Sequence, residues 1–382
     1  MQILNFHDAR RQARRRLPTG IFEYIDRGSE DETAIRASRQ AFDTYRLIPR
    51  VLRNETPPDA RVTLLGESWS QPFMVAPTAC AGLARYNGEI ELARAAERFG
   101  IPFCAATESI TSLDEIADSV SRRPWFQLYV WHPLEHSLDL LARAHRMGIT
   151  VLVVTVDTPV APNREYNARN GFEMPFRFGA RNMLDLTRHP GWLARVMLPY
   201  LMKGRLPDFA NYPPAYRATL LSRGTKESLI HHPRLDWDII GRLRDKWPGH
   251  FIVKGILHPD DARQAARAGA DGIVVSSHGA RNFDSATTVL DALPAIVEAT
   301  GAQLTILADS GVQRGSDVFK LLHAGAQGVL VGRAMLYGLA CSGAAAGHMM
   351  QVLANELSAT MSFSGCRSIE EIRQCQKQSN QD

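Results

Sequence analysis

From residue 73 onward, short apolar runs alternate with stretches that place apolar residues at helical spacing. The runs are Phe73–Ala79, Phe103–Thr107, Trp125–Tyr129, Val151–Asp157, Phe251–Ile256, Gly272–Ser277, Leu304–Asp309 and Gly328–Gly332. Several are rich in Val and Ile and continuous rather than alternating, the pattern of strands buried on both faces. Helical periodicity fills the gaps at Glu89–Phe99, Ser112–Val120, Glu135–Met147, Asp236–Lys246, Pro259–Ala268, Thr287–Ala299 and Ser316–Ala324, with a last helix over Ala344–Ser358. Eight β-α units predict an α/β fold, a (β/α)8 TIM barrel over 73–365. A doubly wound sheet is the competing arrangement, and the count of eight favours the barrel.

Three segments fall outside the repeat. Residues 1–72 read as helical pieces and short strands, an N-terminal segment capping the barrel's lower end or its mouth. Residues 158–235 form a long insertion after strand 4, well beyond an ordinary βα loop. Within it, 186–206 mixes Trp, Leu, Met and Tyr with Arg, His and Lys, the composition of an interfacial helix. A lid or an oligomer contact would carry the same composition, and Pro190 and Pro199 interrupt any long helix. The segment 366–382 is polar and Gln-rich and reads as a disordered tail.

Composition narrows the class. A net charge of +4 from 44 basic and 40 acidic residues is too mild for an obligate nucleic-acid binder. The five cysteines lack metal-ligand spacing, and Cys80 and Cys104 sit in or beside strand-like runs, so they read as small buried hydrophobes. A reducing compartment, the cytoplasm, fits. The Arg-rich N-terminus has no apolar core for a secretory signal, and no window approaches a membrane span.

The chemistry gathers at strand ends, where a barrel keeps its active site: Thr78, Thr107, Tyr129, Asp157, Lys254, His278, Asp309 and Arg333. His278 is the natural base, and Asp157 the candidate to orient it and stabilise its imidazolium. Arg281 and Arg164 are forks able to grip a carboxylate, although Arg164 could instead pair with Glu165. Lys254 is either a Schiff-base former or a fixed charge beside an electron-rich cofactor. Tyr24 and Tyr129 are donors for a carboxylate or a reacting oxygen, unless simply packed. Gly311, Gly315, Gly332 and Arg333 form a candidate phosphate site after strands seven and eight.

At these residues the chain resembles the FMN-dependent α-hydroxy-acid oxidase and dehydrogenase family, and within it the (S)-mandelate-oxidising members. The resemblance runs from about residue 5 to 365 through F-E-Y-I-D-R-G-S-E-D-E, A-P-T-A, W-F-Q-L-Y, T-V-D-T-P, R-E-Y-N-A-R-N, V-K-G-I, S-S-H-G-A-R-N-F-D and D-S-G-V-Q-R-G. It implies oxidation of a 2-hydroxy acid, aryl or bulky, to the 2-oxo acid. His278 would be the base, flavin N5 the electron acceptor and Asp157 the partner of the imidazolium. Arg281, Arg164 and Tyr24 would bind the substrate carboxylate, Tyr129 the hydroxyl, and Lys254 would stabilise the reduced ring. Pro77, Thr78, Ala79, Gln127 and Thr155 would line the flavin; Asp309, Gly311, Gly332 and Arg333 would hold ribityl and phosphate. Ala106, Ser276, Ser310 and Gln313 complete the cofactor-binding set.

Oxygen, a quinone or a protein carrier would take the electrons, and the resemblance suggests a homotetramer, with peripheral contact through 186–206 at the inner face of a membrane. The chain departs from the family at Ser277, Ala280, Asn282, Phe283, Gln313, Ala106 and Glu108. Gln313 removes a flavin-side cation, an expected weakening of FMN binding or lowering of its potential. Glu108 is expected to disfavour a second anionic group on the substrate or to pair with a hydroxyl. A flavin-binding barrel with lost or redirected chemistry is the alternative.

Overall fold

All eight apolar runs form strands, and every pairing among them is parallel: β1 (Phe73–Val75), β2 (Cys104–Ala106), β3 (Trp125–Tyr129), β4 (Val151–Thr155), β5 (His250–Ile256), β6 (Gly272–Val275), β7 (Thr305–Ala308) and β8 (Gly328–Val331). The structure, a computed structural model, describes residues 2–53, 56–171, 180–217, 230–301 and 303–375. Neighbouring strands run β1-β8-β7-β6-β5-β4-β3-β2. A parallel bridge between Val75 and Phe103 then joins β1 to β2, with Val75 N–H donating to Pro102 O at 3.0 Å. The sheet closes on itself as the expected TIM barrel, and the doubly wound alternative falls.

Period-two alternation divides the strand residues between two cores. Met74, Cys104, Trp125, Val151, Val153, Ile252, Val274, Leu307 and Leu330 fill the barrel interior. Their neighbours, including Phe73, Phe126, Leu152, Val253, Ile273 and Val329, pack outward with the helices. One inward step further the chemistry changes on most strands: the next positions are Ala76, Ala106, Gln127, Thr155, Lys254, Ser276, Asp309 and Gly332. An apolar floor therefore becomes a polar mouth within two residues.

The N-terminal segment covers both ends of the barrel. Helices α1 (Phe6–Arg16), α2 (Thr19–Asp26) and α3 (Thr33–Thr44) bring Phe6, Tyr24 and Ile25 to the wall of the mouth. Phe6 sets its ring edge-on to Tyr337 at 5.3 Å. Below, an antiparallel hairpin pairs Val62–Leu64 with Glu67–Trp69. Its Trp69, 1% exposed, meets Trp125 edge-on at 5.6 Å and seals the floor.

Two sequence expectations need correction. The chain after Gly365 does not begin a disordered tail: Ile369–Ile372 is helical, Cys366 and Ile372 are buried, and the apolar side of that turn joins the main core. Residues 376–382 lie outside the described residues. The helix expected over Ala344–Ser358 runs from Gly343 to Ser364, ending at Gly365 in the left-handed conformation that glycine adopts cheaply. In the insertion, the aromatic residues of 186–206 face the protein. Trp192 Nε1 donates to Leu83 O at 2.8 Å, and the Tyr200 hydroxyl donates to Gly82 O at 3.2 Å. Leu198, Leu201 and Met202 are left exposed.

Replacing Trp69 by Ala opens a cavity in the barrel floor and is expected to lower the unfolding free energy by roughly 3–5 kcal/mol. Urea denaturation measures it; a loss under about 1 kcal/mol would show that the hairpin does not close the core.

Candidate active site

His278 stands on a turn whose shape is unusual for its residues. His278, Gly279 and Ala280 all take left-handed φ, at 55°, 67° and 57°. Non-glycine residues there cost about 1–3 kcal/mol each unless their surroundings hold them. Here hydrogen bonds do. Ser310 Oγ accepts from Ser277 N–H at 3.1 Å and Gly279 N–H at 3.0 Å, and donates to Asp309 Oδ1 at 2.8 Å. Ser276 Oγ accepts from His278 N–H at 3.0 Å.

The imidazole so placed has a partner at each nitrogen. Nδ1 is 2.8 Å from Asp157 Oδ1, and Nε2 is 3.1 Å from the Tyr129 hydroxyl. With Nδ1–H donated to the carboxylate, Nε2 is the basic nitrogen. Asp157 reaches this position because Gly255, at φ +110°, has no side chain: a Cβ there would stand 2.6 Å from Asp157 Cβ and Cγ. Burial pushes the Asp157 carboxyl up, but His278 and the hydrogen bond to it outweigh burial and hold it below the ordinary value.

Arg164 and Arg281 meet on the same side. Arg164 Nε donates to Arg281 O at 3.1 Å and Nη2 to Asn282 Oδ1 at 3.0 Å. Asn282 in turn donates to Asp157 O and Thr158 Oγ1, which ties the Arg pair to the His278–Asp157 pair. Glu165, the alternative partner, pairs with Arg169 instead. Arg281 Nη1 donates to Ile25 O and Arg27 O, and its guanidinium lies 5.0 Å over the Tyr24 ring. Burial and then the charge of Arg281 hold the Arg164 pKa below its ordinary value. Two like charges so confined favour a bound anion, and forks favour a carboxylate.

Lys254 donates to Ser276 Oγ at 2.8 Å and pairs with Asp309 Oδ2 at 3.1 Å. Burial would lower its pKa, but Asp309 and then Asp157 outweigh that and raise it. The amine is thus held as ammonium, which removes the nucleophile a Schiff base requires. Gln127 Nε2 donates to Thr155 Oγ1 at 2.9 Å. Arg333 donates to Ile25 O and Gly279 O, joining α2 to the His278 turn; burial and Arg281 lower its pKa.

These groups surround one cavity of about 800 Å³. Its wall includes Tyr24, Tyr129, Arg164, His278, Arg281 and Lys254, with Pro77, Thr78, Ala79, Ala106, Gln127 and Thr155. Asp309, Ser310, Gly311, Gln313, Gly332 and Arg333 complete that side. Asp157 and Ser276 do not line it; each stands behind a lining residue, Asp157 behind His278 and Ser276 behind Lys254. The sequence reading missed the wall built by the insertion, Val160–Pro162, Phe209, Tyr212, Tyr216, His231 and Pro233. No strand-end spacing marks those residues. Val160–Pro162 follow directly from the end of β4, while Phe209, Tyr212, Tyr216, His231 and Pro233 reach the cavity because the insertion folds back, pairing Trp131–His132 with Ile230–His231.

A closed parallel barrel that gathers a His–carboxylate pair, an Arg pair and a buried ammonium around one cavity at its strand ends has the architecture of an α/β-barrel enzyme. The chain belongs to the FMN-dependent dehydrogenase family, whose sequence model matches residues 13–378. It is 37% identical over 380 residues to an L-lactate dehydrogenase of Pseudomonas syringae pv. syringae (strain B728a), covering 97% of each chain. An L-lactate dehydrogenase of Xanthobacter autotrophicus (strain ATCC BAA-1158 / Py2) is 38% identical over 376 residues, covering 97% of this chain and 95% of the relative. Among solved structures, the monotopic membrane protein (S)-mandelate dehydrogenase superposes with a TM-score of 0.89 at 33% identity, over 97% and 98% of the two chains. A mandelate oxidase with benzoyl-formic acid gives 0.82 at 32% identity, over 99% of both chains.

The protein is an FMN-dependent oxidoreductase of 2-hydroxy acids, and its donor set fits that cofactor. Lys254, Gln127 and Thr155 bring donors for a ring bearing carbonyls, and Arg333 with the glycines at 311 and 332 brings charge and exposed backbone for a phosphate. At Gly332 a Cβ would stand 3.6 Å from Thr78 Cγ2, in space that glycine leaves open.

Lys254→Met strands the Asp309 carboxylate in the wall and is expected to cost about 3–5 kcal/mol of stability. Adding Asp309→Asn should return at least half of the loss in urea denaturation. Equal losses in the single and double variants would contradict the pairing.

Proposed function

We propose that the protein oxidises (S)-2-hydroxy acids with bulky or aryl side chains, mandelate-like, to the 2-oxo acids, with His278 as base. The observation that carries this reading is the convergence of the His278–Asp157 pair and the Arg164–Arg281 pair on one cavity. The substrate carboxylate binds between the two guanidiniums and beside Tyr24, and its hydroxyl meets Tyr129. His278 Nε2 accepts the proton, and Asp157, already ionised, stabilises the imidazolium. Burial pushes the Tyr129 phenol well up, which keeps it a neutral donor.

When bound, FMN supplies the two-electron acceptor. Lys254 would place a fixed positive charge beside it, Pro77, Thr78, Ala79, Ala106, Gln127 and Thr155 would line its ring, and Asp309, Ser310, Gly311, Gln313, Gly332 and Arg333 would hold ribityl and phosphate. Ser276 acts through Lys254 and His278. The aryl preference is supported by the ring-lined wall of Phe209, Tyr212 and Tyr216 and by the mandelate-named structural neighbours.

The exposed Leu198, Leu201 and Met202 beside Arg195, Lys203 and Arg205 support peripheral attachment to an anionic membrane surface and a quinone as electron acceptor. Among the described residues no helix is long and apolar enough to cross a membrane. The double variant Leu201→Glu/Met202→Glu is expected to weaken sedimentation with anionic vesicles at least tenfold; a protein that never sediments with them would contradict attachment.

Anaerobic mixing with (S)-mandelate, (S)-lactate and glycolate tests the reaction. Mandelate is expected to bleach the flavin most efficiently, and His278→Ala to slow bleaching by roughly 10²–10⁴-fold with flavin still bound. Bound flavin bleached by none of these acids would favour the barrel with lost or redirected chemistry.

A further inference from the structure

The inward alternation of β2 does not stop at the end of the strand. Cys104 lies in the barrel core, Ala106 in the cavity wall, and two residues on Glu108 puts a carboxylate into the same wall. Its surroundings come from the insertion. Glu108 Oε1 accepts from the Tyr212 hydroxyl at 3.3 Å and stands 3.5 Å from His231 Nε2. His231 stacks on the Tyr129 ring at 4.4 Å, with an interplanar angle of 19°. Tyr129 is the ring that reaches His278, so this cluster lies one ring beyond the proposed base. Nothing in the proton transfer employs it.

Both protein contacts fall on Oε1, so among the described residues Oε2 has no hydrogen-bond partner. A carboxylate only accepts. An apolar side chain pressed against Oε2 would remove its water without replacement, and a second carboxylate would add like-charge repulsion. A hydroxyl restores the missing bond with its single proton. An ammonium would pair with the carboxylate too, but in a wall that already carries the charges of Lys254, Arg164, Arg281 and Arg333. The insertion loop at His231 and Tyr212 and the rim of β2 thus present an acceptor where the far end of a bulky side chain would lie.

We propose that Glu108, with Tyr212 and His231, forms a subsite that selects 2-hydroxy acids whose side chain ends in a hydroxyl and rejects those ending in a second carboxylate. This rests on the reading that the cavity oxidises 2-hydroxy acids. The test is anaerobic stopped-flow flavin reduction of the holoenzyme by (S)-mandelate, (S)-4-hydroxymandelate and (S)-malate, in wild type, Glu108→Gln and Glu108→Leu. Wild type is expected to favour 4-hydroxymandelate over mandelate by roughly tenfold or more in efficiency, the effect of a hydrogen bond to a charged group. Glu108→Leu should bring that ratio to about one or below, Glu108→Gln to an intermediate value, and both should raise the rate with malate relative to mandelate. A ratio unchanged by either variant, with mandelate still bleaching the flavin, would overturn the subsite alone. Flavin that no hydroxy acid bleaches in wild type would overturn the underlying reaction, and the subsite with it.

Discussion

The hydrogen bond between His278 and Asp157 is the interaction on which the site depends, and it exists because one residue near the end of β5, Gly255, has no side chain. Asp157 follows β4, His278 follows β6, and β5 runs between them. For the carboxylate to reach across β5, the backbone at Gly255 must leave room and turn to φ +110°. The ladder registers this: pairing between β5 and β6 slips between Val274 and Val275. A local irregularity in the sheet therefore sets the orientation of the His278 imidazole, and the three left-handed residues beginning at His278 complete it.

Around that bond the charges are arranged so that protein groups compensate part of the burial and ligands would compensate the rest. Lys254 is matched by Asp309, and Asp157 is held ionised beside His278. Among the described residues Arg164 and Arg281 are not matched by a carboxylate in the same way; they donate to backbone oxygens and to the Asn282 side-chain oxygen. The imbalance is the physical reason an anionic substrate belongs there. Glu108 is the opposite case, an acceptor facing a cavity otherwise rich in donors.

The barrel was legible because period-two burial on both faces leaves runs such as V-L-V-V-T and G-I-V-V, and their number excludes most other folds. The strand-end residues were legible for the same reason: a change from apolar to polar at the inward positions marks the mouth. Asp157, Lys254 and His278 could be placed that way. The tail was misread because composition does not show that Ile369 and Ile372 find a core surface. The insertion's wall was not legible at all, since Tyr212 and His231 come to Glu108 by tertiary folding over a hundred residues away. The aromatic content of 186–206 pointed toward an interface, yet Trp192 and Tyr200 use their polar tips to grip the Leu83 and Gly82 carbonyls.

The most direct test of the central claim is the anaerobic rate of flavin bleaching in Asp157→Asn and Gly255→Ala, with flavin content checked by absorbance and substrate affinity measured separately. If Gly255 holds Asp157 in place and Asp157 holds His278, both variants keep flavin and bind substrate but bleach roughly 10²-fold more slowly or worse. Bleaching at the wild-type rate in flavin-loaded Gly255→Ala would show that the base does not depend on the approach that the glycine permits.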